Sequence, residues 1–312
     1  MIEIKDLVKY YGDKKAVDGI SFTVKDDEVL GFLGPNGAGK STTMNIITGF
    51  LSSTSGTVEV DGYDILEEPL KAKANIGYLP ELPPLYLDMT VKEYLDFIAD
   101  LKGVGRKDRR EHIEKIVSLV RIDNVYNRII GNLSKGYKQR VGIAQALVGD
   151  PKTLILDEPT VGLDPNQILE IRKLIRMLAK NHSIIISSHI LTEIQATCDR
   201  VVIINEGRIA AIDTIDDLSK RISGADKLQL SFRGDPEAVI NTIMSLPGIV
   251  EVTETGSSGD VHELEITLSE ESGDDVRSSI FFAMARGGNP ILELKSKKIS
   301  LEEMFYNITK MS

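Results

Sequence analysis

The sequence predicts an α/β domain on a mostly parallel central sheet, followed by a small α+β domain, and three observations carry that expectation. Val29 to Leu33 is an apolar run that ends in a glycine-rich loop, with a helix opening at Lys40. Thr153 to Leu156 and Ser183 to Ser187 are short apolar runs between helical stretches, the mark of strands buried on both faces of a parallel sheet. Residues 221–312 read in the order β-α-β-β-α-β, the split βαβ or ferredoxin-like arrangement.

The elements follow in order. Met1-Ile2-Glu3-Ile4-Lys5-Asp6 alternates apolar and charged residues as an edge-forming strand does, and it lacks the apolar core of a signal peptide. The helix after the glycine-rich loop is expected over Lys40 to Leu51. Thr90-Val91-Lys92-Glu93 has the capping-box form, with Thr90 bonding forward and Glu93 back. Asp164-Pro165 puts a capping carboxylate before a proline at the first helical position, and that helix should run to about Lys180. The chain divides near Asp216-Asp217-Leu218-Ser219-Lys220, into residues 1–220, with a helical subdomain at about 88–150, and residues 221–312. In the second part Leu228 and Leu230 mark a strand, and Asp235-Pro236 caps a helix carrying Val239, Ile240 and Ile243 on one face. Ile249 to Val252 and Leu264 to Leu268 read as a hairpin around Gly256-Ser257-Ser258-Gly259. Val276, Ile280 and Met284 mark a second helix and Ile291 to Leu294 a last strand. Ser300-Leu301-Glu302-Glu303 is another capping box, opening a final helix.

Composition excludes several classes. Of 312 residues 42% are hydrophobic and 27% charged, which suits a folded globular chain rather than a disordered one. The net charge of −10 argues against a nucleic-acid partner, which needs a basic face. Cys198 is the single cysteine, so no internal disulfide is possible and a reducing compartment is expected. No run approaches the ~18 apolar residues of a spanning helix. A soluble protein is expected, whose membrane role would come through a partner.

Two motifs carry chemistry. Gly34-Pro35-Asn36-Gly37-Ala38-Gly39-Lys40-Ser41 fits G-x-x-x-x-G-K-[ST] between a strand and a helix. Glycines let backbone N–H groups face a polyphosphate, and the helix N-terminus adds its positive end. Lys40 should reach the β- and γ-phosphates and the Ser41 hydroxyl should take a place on Mg²⁺, with Thr42 next in the nucleotide-binding set. Thr153-Leu154-Ile155-Leu156-Asp157-Glu158 is an apolar strand ending in two carboxylates. Asp157 suits a direct or indirect Mg²⁺ contact, and Glu158 is placed to polarise an attacking water as general base. Paired acids after a strand usually belong to a solvated loop; the phosphate loop reverses that reading.

With these motifs in this order, residues 1 to about 215 resemble the ABC (ATP-binding cassette) ATPases, a P-loop NTPase family. The resemblance implies a mostly parallel central sheet, an antiparallel edge subdomain and a helical subdomain. Tyr11, in Lys9-Tyr10-Tyr11-Gly12, matches the aromatic that stacks on adenine. Leu133-Ser134-Lys135-Gly136-Tyr137-Lys138-Gln139-Arg140 matches the signature segment, usually L-S-G-G-Q. Gly162-Leu163-Asp164 matches the loop that couples two cassettes, and Ser187-Ser188-His189 carries the histidine that contacts the γ-phosphate. Three positions depart from the pattern. Glu81, after Gly77-Tyr78-Leu79-Pro80, replaces a glutamine that ligates Mg²⁺. Lys135 replaces the first signature glycine, and Tyr137 its glutamine. Ser134 and Gly136 remain to touch the γ-phosphate held by a second subunit. Lys135 either adds a cation there or points to solvent.

By resemblance, two copies close head to tail on two ATP molecules, each between one phosphate loop and the other copy's Ser134. A separate integral membrane permease would turn closing and opening into transport, and the chain would sit on the cytoplasmic face of the membrane. Its docking surface is expected near Glu81 and Leu82 to Leu87, with Leu85 and Tyr86 exposed. The middle and C-terminal segments look like those of drug, polysaccharide or gliding-related export cassettes. A soluble ABC ATPase acting on DNA or ribosomes is the first rival. Against it, only about ninety residues separate phosphate loop and signature, too few for an inserted coiled coil, and the chain has one cassette. A scaffold without hydrolysis is the second, opposed by Lys40, Asp157, Glu158 and His189. Residues 221–312 are either a stabilising or dimer-forming addition or a ligand-sensing domain. His112, His182 and His262 read as surface histidines, and Cys198 as a small buried residue within a helix.

Overall fold

The structure is a computed structural model that describes residues 1–215, 217, 227–269 and 276–297. The chain forms two compact units, Met1–Ile215 and, within Asp216–Tyr306, a second one. The first holds β1 (Ile2–Tyr11), β2 (Lys14–Val24), β3 (Val29–Leu33), α1 (Lys40–Ile47), β4 (Ser55–Val60), β5 (Tyr63–Asp64), α2 (Pro69–Ala74) and β6 (Ile76–Leu79). It continues with α3 (Val91–Leu101), α4 (Arg106–Val120), α5 (Lys135–Leu147), β7 (Thr153–Asp157), α6 (Pro165–Leu178), β8 (Ser183–Ser188), α7 (Leu191–Thr197), β9 (Arg200–Asn205) and β10 (Arg208–Thr214).

A six-stranded sheet has the order β10-β9-β3-β8-β7-β6. All its pairings are parallel except β9 with β10. Strands β3, β7 and β8 are buried at every position, so each reads as a continuous apolar run rather than an alternation. A four-stranded antiparallel sheet, β2-β1-β4-β5, lies beside it. Its inward residues Ile2, Ile4, Leu7, Val24, Val58 and Val60 join Met44, Ile46 and Ile47 of α1 and Leu30, Phe32, Ile155 and Ile185 in one buried cluster.

Strand β1 is not an edge, because it pairs with β2 on one side and β4 on the other. The alternation in its sequence reports one core-facing side, which a central strand of a one-sided sheet shares with an edge. Helix α1 stops at Ile47 instead of Leu51. Gly49 turns to φ +66°, and Asn45 O accepts from Phe50 N and Leu51 N, leaving Phe50 83% exposed. The Thr90 capping box of α3 is present in both directions, and Asp164 caps α6, which ends at Leu178.

The second unit consists of β11 (Lys227–Arg233), α8 (Pro236–Met244), β12 (Ile249–Ser258), β13 (Val261–Leu268), α9 (Val276–Arg286) and β14 (Ile291–Lys297). Its sheet is antiparallel with the order β12-β13-β11-β14. Leu228, Leu230, Phe232, Leu264, Ile266 and Leu268 pack with Val239 and Ile243 of α8 and Val276, Ile280 and Met284 of α9. The hairpin turn is the two-residue Gly259-Asp260, not the wider Gly256–Gly259 segment. Gly256 pairs with Glu263 inside β12, and the register shift between Glu254 and Gly256 leaves Thr255 as a bulge. The capping box at Ser300-Leu301-Glu302-Glu303, its helix, and all of the dividing segment except Asp217 lie outside the described residues.

His182 is buried, with Nδ1 2.7 Å from Pro151 O, because it stands between the end of α6 and the start of the fully buried β8. His112 and His262 are half-buried; His262 pairs with Glu254 at 2.9 Å and packs on Phe232. Cys198 is buried, and burial pushes its thiol pKa up, but it follows α7 in extended backbone rather than sitting inside a helix. No described helix is long and apolar enough to cross a membrane.

Candidate active site

Parallel pairing brings four strand ends level. Leu33 of β3 pairs with Ser188 of β8, Asp157 of β7 with Ser187, and Leu79 of β6 with Leu156. Beyond these carboxyl ends, where open α/β sheets bind ligands, stand the phosphate loop, Glu81, Glu158 and His189. A cavity of about 460 Å³ is lined by Tyr11, Asn36, Gly37, Gly39, Lys40, Ser41, Thr42, Glu81, Glu158 and His189, together with Lys14, Ala16 and Val161. Tyr11 reaches it from the end of β1, half exposed, with Lys9 Nζ 5.5 Å from its ring centre.

The loop's shape follows from its glycines. Gly39 has φ +107°, and a Cβ there would stand 2.5 Å from Ala16 O. Ala38 is buried behind the cavity, with its carbonyl accepting from Gly207 N at 2.9 Å. Lys40 folds back on the loop, donating to Gly34 O at 2.8 Å and Pro35 O at 3.2 Å. Burial pushes its amine below the ordinary lysine range, against the pull of Glu158, Asp157 and Glu81.

The carboxylates are held from strand β8. Ser187 Oγ donates to Asp157 Oδ1 and accepts from Glu158 N at 3.1 Å. His189 Nδ1 lies 2.9 Å from Glu158 Oε1, and Glu158 Oε2 is buried without a hydrogen-bond partner among the described residues. Burial raises the pKa of both Asp157 and Glu158, opposed at Asp157 by Ser187 and at Glu158 by His189. Glu158 has φ +48°, a left-handed conformation that costs a glutamate roughly 1–3 kcal/mol and persists only when its surroundings over-determine it.

Ser41, Asp157 and Glu81 offer a hydroxyl and two carboxylates, the all-oxygen donor set that suits Mg²⁺. The Asp157 carboxyl also feels the charge of Glu81, which adds to the upward push of burial. No cluster of three or more His, Cys, Asp or Glu able to hold a metal occurs among the described residues. The residues fit an ion that shares its shell with phosphate oxygens and water.

The family profile described as ABC transporter matches residues 17–161. The linearmycin resistance ATP-binding protein LnrL of Bacillus subtilis (strain 168) is 36% identical over 99% of this chain and 98% of its own. The bacitracin transport ATP-binding protein BcrA of Bacillus licheniformis is 36% identical over 93% and 99%. The chain belongs to the ABC transporter ATP-binding proteins. A solved structure described as an ATP binding subunit of an ABC transporter superimposes on 71% of this chain and 93% of its own, with a TM-score of 0.65 and 31% identity. The cassette is an ATPase.

The segment that resembles the family signature stands elsewhere. Ser134 caps α5, accepting from Tyr137 N at 3.4 Å. Ser134, Gly136 and Tyr137 line a cavity of about 240 Å³ with Arg121, Arg140, Gln167 and Glu170, none of which lines the phosphate-loop cavity. A Cβ on Gly136 would stand 2.6 Å from the side-chain amide of Gln167, which would have to move aside. Asp164 is occupied as the cap of α6, accepting from Gln167 N at 2.9 Å. Lys135 is exposed, and its Nζ lies over Gly162, 2.1 Å from where a Cβ would be.

Residues the motifs do not name also matter. Near the expected docking segment, Pro80, Pro84, Tyr78, Phe50, Lys73 and Lys102 line a cavity of about 640 Å³. Leu82, Tyr86 and Leu87 are exposed, whereas Leu85 is half-buried. Phe50 was signalled only as an apolar residue just after Gly49, at a helix end.

Proposed function

We propose that this cassette powers export through a separate membrane permease, with two copies closing head to tail on two ATP molecules. The observation that carries the reading is the separation of the two half-sites. Ser134 and Gly136 share no cavity with the phosphate loop, so a second copy must bring them to the γ-phosphate. In the closed state Tyr11 would stack on adenine, and the loop from Gly34 to Ser41 and Thr42 would hold the phosphates. Lys40 would leave the carbonyls of Gly34 and Pro35 for phosphate oxygens, a better match for a desolvated amine. Mg²⁺ bound through Ser41, Asp157 and Glu81 would supply neutralisation of the phosphate charge. Glu158 would accept a proton from the attacking water while His189 orients it and faces the γ-phosphate. ATP favours the closed pair by contacting both halves, and hydrolysis removes that preference. Asp164 lies in the loop that would meet the partner copy.

The chain would bind the cytoplasmic face of the membrane through the permease, whose docking segment would enter the apolar cavity beside Pro80 and Phe50. Linearmycin and bacitracin, in the relatives' names, suggest antibiotics as the cargo class. No nucleic-acid partner is expected at a net charge of −10. Residues 1–220 would form the cassette, with its helical subdomain at about 88–150, and residues 221–312 a ferredoxin-like domain, a reading supported by the order of its strands. That domain would stabilise the cassette or its dimer.

Glu158→Gln tests the dimer: size-exclusion chromatography with light scattering should find an ATP-dependent pair that ADP does not support. A monomer at saturating ATP would overturn the head-to-tail reading. Purification of the same variant from membranes should bring down one polytopic protein in fixed ratio.

A further inference from the structure

A buried carboxylate outside the nucleotide cavity joins the segments that carry the reacting groups. Glu193, in the first turn of α7, is 8% exposed. Its Oε2 accepts from Thr160 Oγ1 at 2.5 Å and from Ser188 Oγ at 3.3 Å. Its Oε1 lies 4.0 Å from Nη2 of Arg172. None of these residues lines the cavity around the phosphate loop.

Each partner adjoins a segment of the site. Thr160 follows Glu158 by two residues, and its carbonyl accepts from Leu163 N at 3.2 Å, at the turn leading to Asp164. Ser188 precedes His189, and its Oγ also accepts from Ile190 N at 3.0 Å. Arg172 belongs to α6, the helix that Asp164 caps.

A carboxylate is costly to bury unless it is well bonded, and an apolar side chain would serve packing better. What this one adds is a tie between two loops. Glu158 is held on one side by Ser187, but its left-handed backbone also depends on the turn through Thr160 to Val161, which bonds back to Glu158 O at 3.2 Å. Hydroxyls on both loops meet the same oxygen of Glu193. We propose that Glu193 is a positioning residue for ATP hydrolysis: by gripping Thr160 and Ser188 together it sets the spacing of Glu158 and His189 without touching nucleotide. This rests on the reading of Glu158 and His189 as the pair that handles the attacking water.

The test is steady-state hydrolysis of MgATP by the full chain. Glu193→Ala and Thr160→Val should each lower kcat by about tenfold to a hundredfold, the penalty of a displaced reacting group, while the KM for ATP stays within twofold. Thr160→Ser keeps the hydroxyl and should restore kcat to within twofold of the parent. Glu193→Gln keeps one oxygen that can accept from both hydroxyls, but a neutral amide is a weaker acceptor than a carboxylate, so it should fall between parent and Glu193→Ala. The double variant should be no slower than the worse single one, because both remove the same contact. A kcat within twofold of the parent in both Glu193→Ala and Thr160→Val overturns the proposal. So does a loss in which KM rises in proportion or Thr160→Ser fails to rescue, since either marks general damage. Should Glu193→Ala not fold, the Thr160 pair decides alone. Glu158→Gln is run alongside: full turnover there defeats the reading of Glu158, whereas a dead Glu158→Gln with an active Glu193→Ala defeats only the positioning role.

Discussion

Glu158 concentrates the physics of the site in one residue. Its carboxyl is buried, bonded to His189 by one oxygen, and held in a backbone conformation that glutamate disfavours. Burial raises its pKa, so the folded state binds this proton more readily than the unfolded chain. The sign follows: above the raised pKa the group is charged in both states and its desolvation opposes folding. As pH falls through that value, the opposition is relieved. Glu158→Gln should therefore raise the melting temperature at pH 7 to 8, and the difference from the parent should shrink as pH is lowered. Calorimetry across that range checks it. The same variant should lose at least a hundredfold in kcat while still binding ATP. In the parent, kcat should fall on acidification with a midpoint above the ordinary glutamate value of about 4.3. Turnover in Glu158→Gln within threefold of the parent would remove the base assignment.

Helix ends are where local sequence speaks most directly, and two of them carry different loads. The Thr90 capping box closes with Glu93 Oε2 2.8 Å from Thr90 N and Thr90 Oγ1 3.2 Å from Glu93 N. Thr90→Ala should cost about 1 kcal/mol in urea unfolding and leave basal ATP hydrolysis unchanged, since α3 lines no nucleotide cavity. The N-terminus of α5 is less simple. The amine of the exposed Lys135 rests over Gly162 of the same chain. On closing, that amine would have to leave Gly162 to reach a phosphate. If it does, Lys135→Gly should weaken ATP-driven dimerisation of the Glu158→Gln protein by about 1 kcal/mol, the scale of a partly screened contact, and reduce its salt sensitivity. Identical dimerisation curves with and without Lys135→Gly would leave it a role within its own chain only.

At the scale of the molecule, each unit has its own buried cluster. A protein ending at Asp217 should therefore fold and melt cooperatively, and bind ATP as the parent does. Aggregation instead would make the second unit integral to the first. The element types, and the motifs that line the nucleotide cavity, were legible in the sequence because they depend on short-range rules. A buried strand must be apolar on both faces, a phosphate loop needs glycines beside a helix start, and a cap needs a side-chain acceptor at one position. Lys40 and Glu158 could thus be named from local pattern, Tyr11, Glu81 and His189 only through the family resemblance, and parallel register then brings all five around one cavity. Misreadings arose where one local pattern has two tertiary outcomes. Alternation in β1 suits an edge or a one-sided central strand, and pairing with β4 decides between them. Gly256 reads as a turn residue, yet cross-strand register pairs it with Glu263 inside β12. His182 looks polar and exposed, but the Pro151 carbonyl satisfies it in the interior. Sequence by itself determined which residues could bind a phosphate or cap a helix, since those are properties of a few neighbouring residues. Only the tertiary structure decided that Ser187 holds Asp157 and Glu158 and that Glu193 ties Thr160 to Ser188. Those contacts join residues about thirty positions or more apart, or depend on how a loop is turned, and no periodicity along the chain records them.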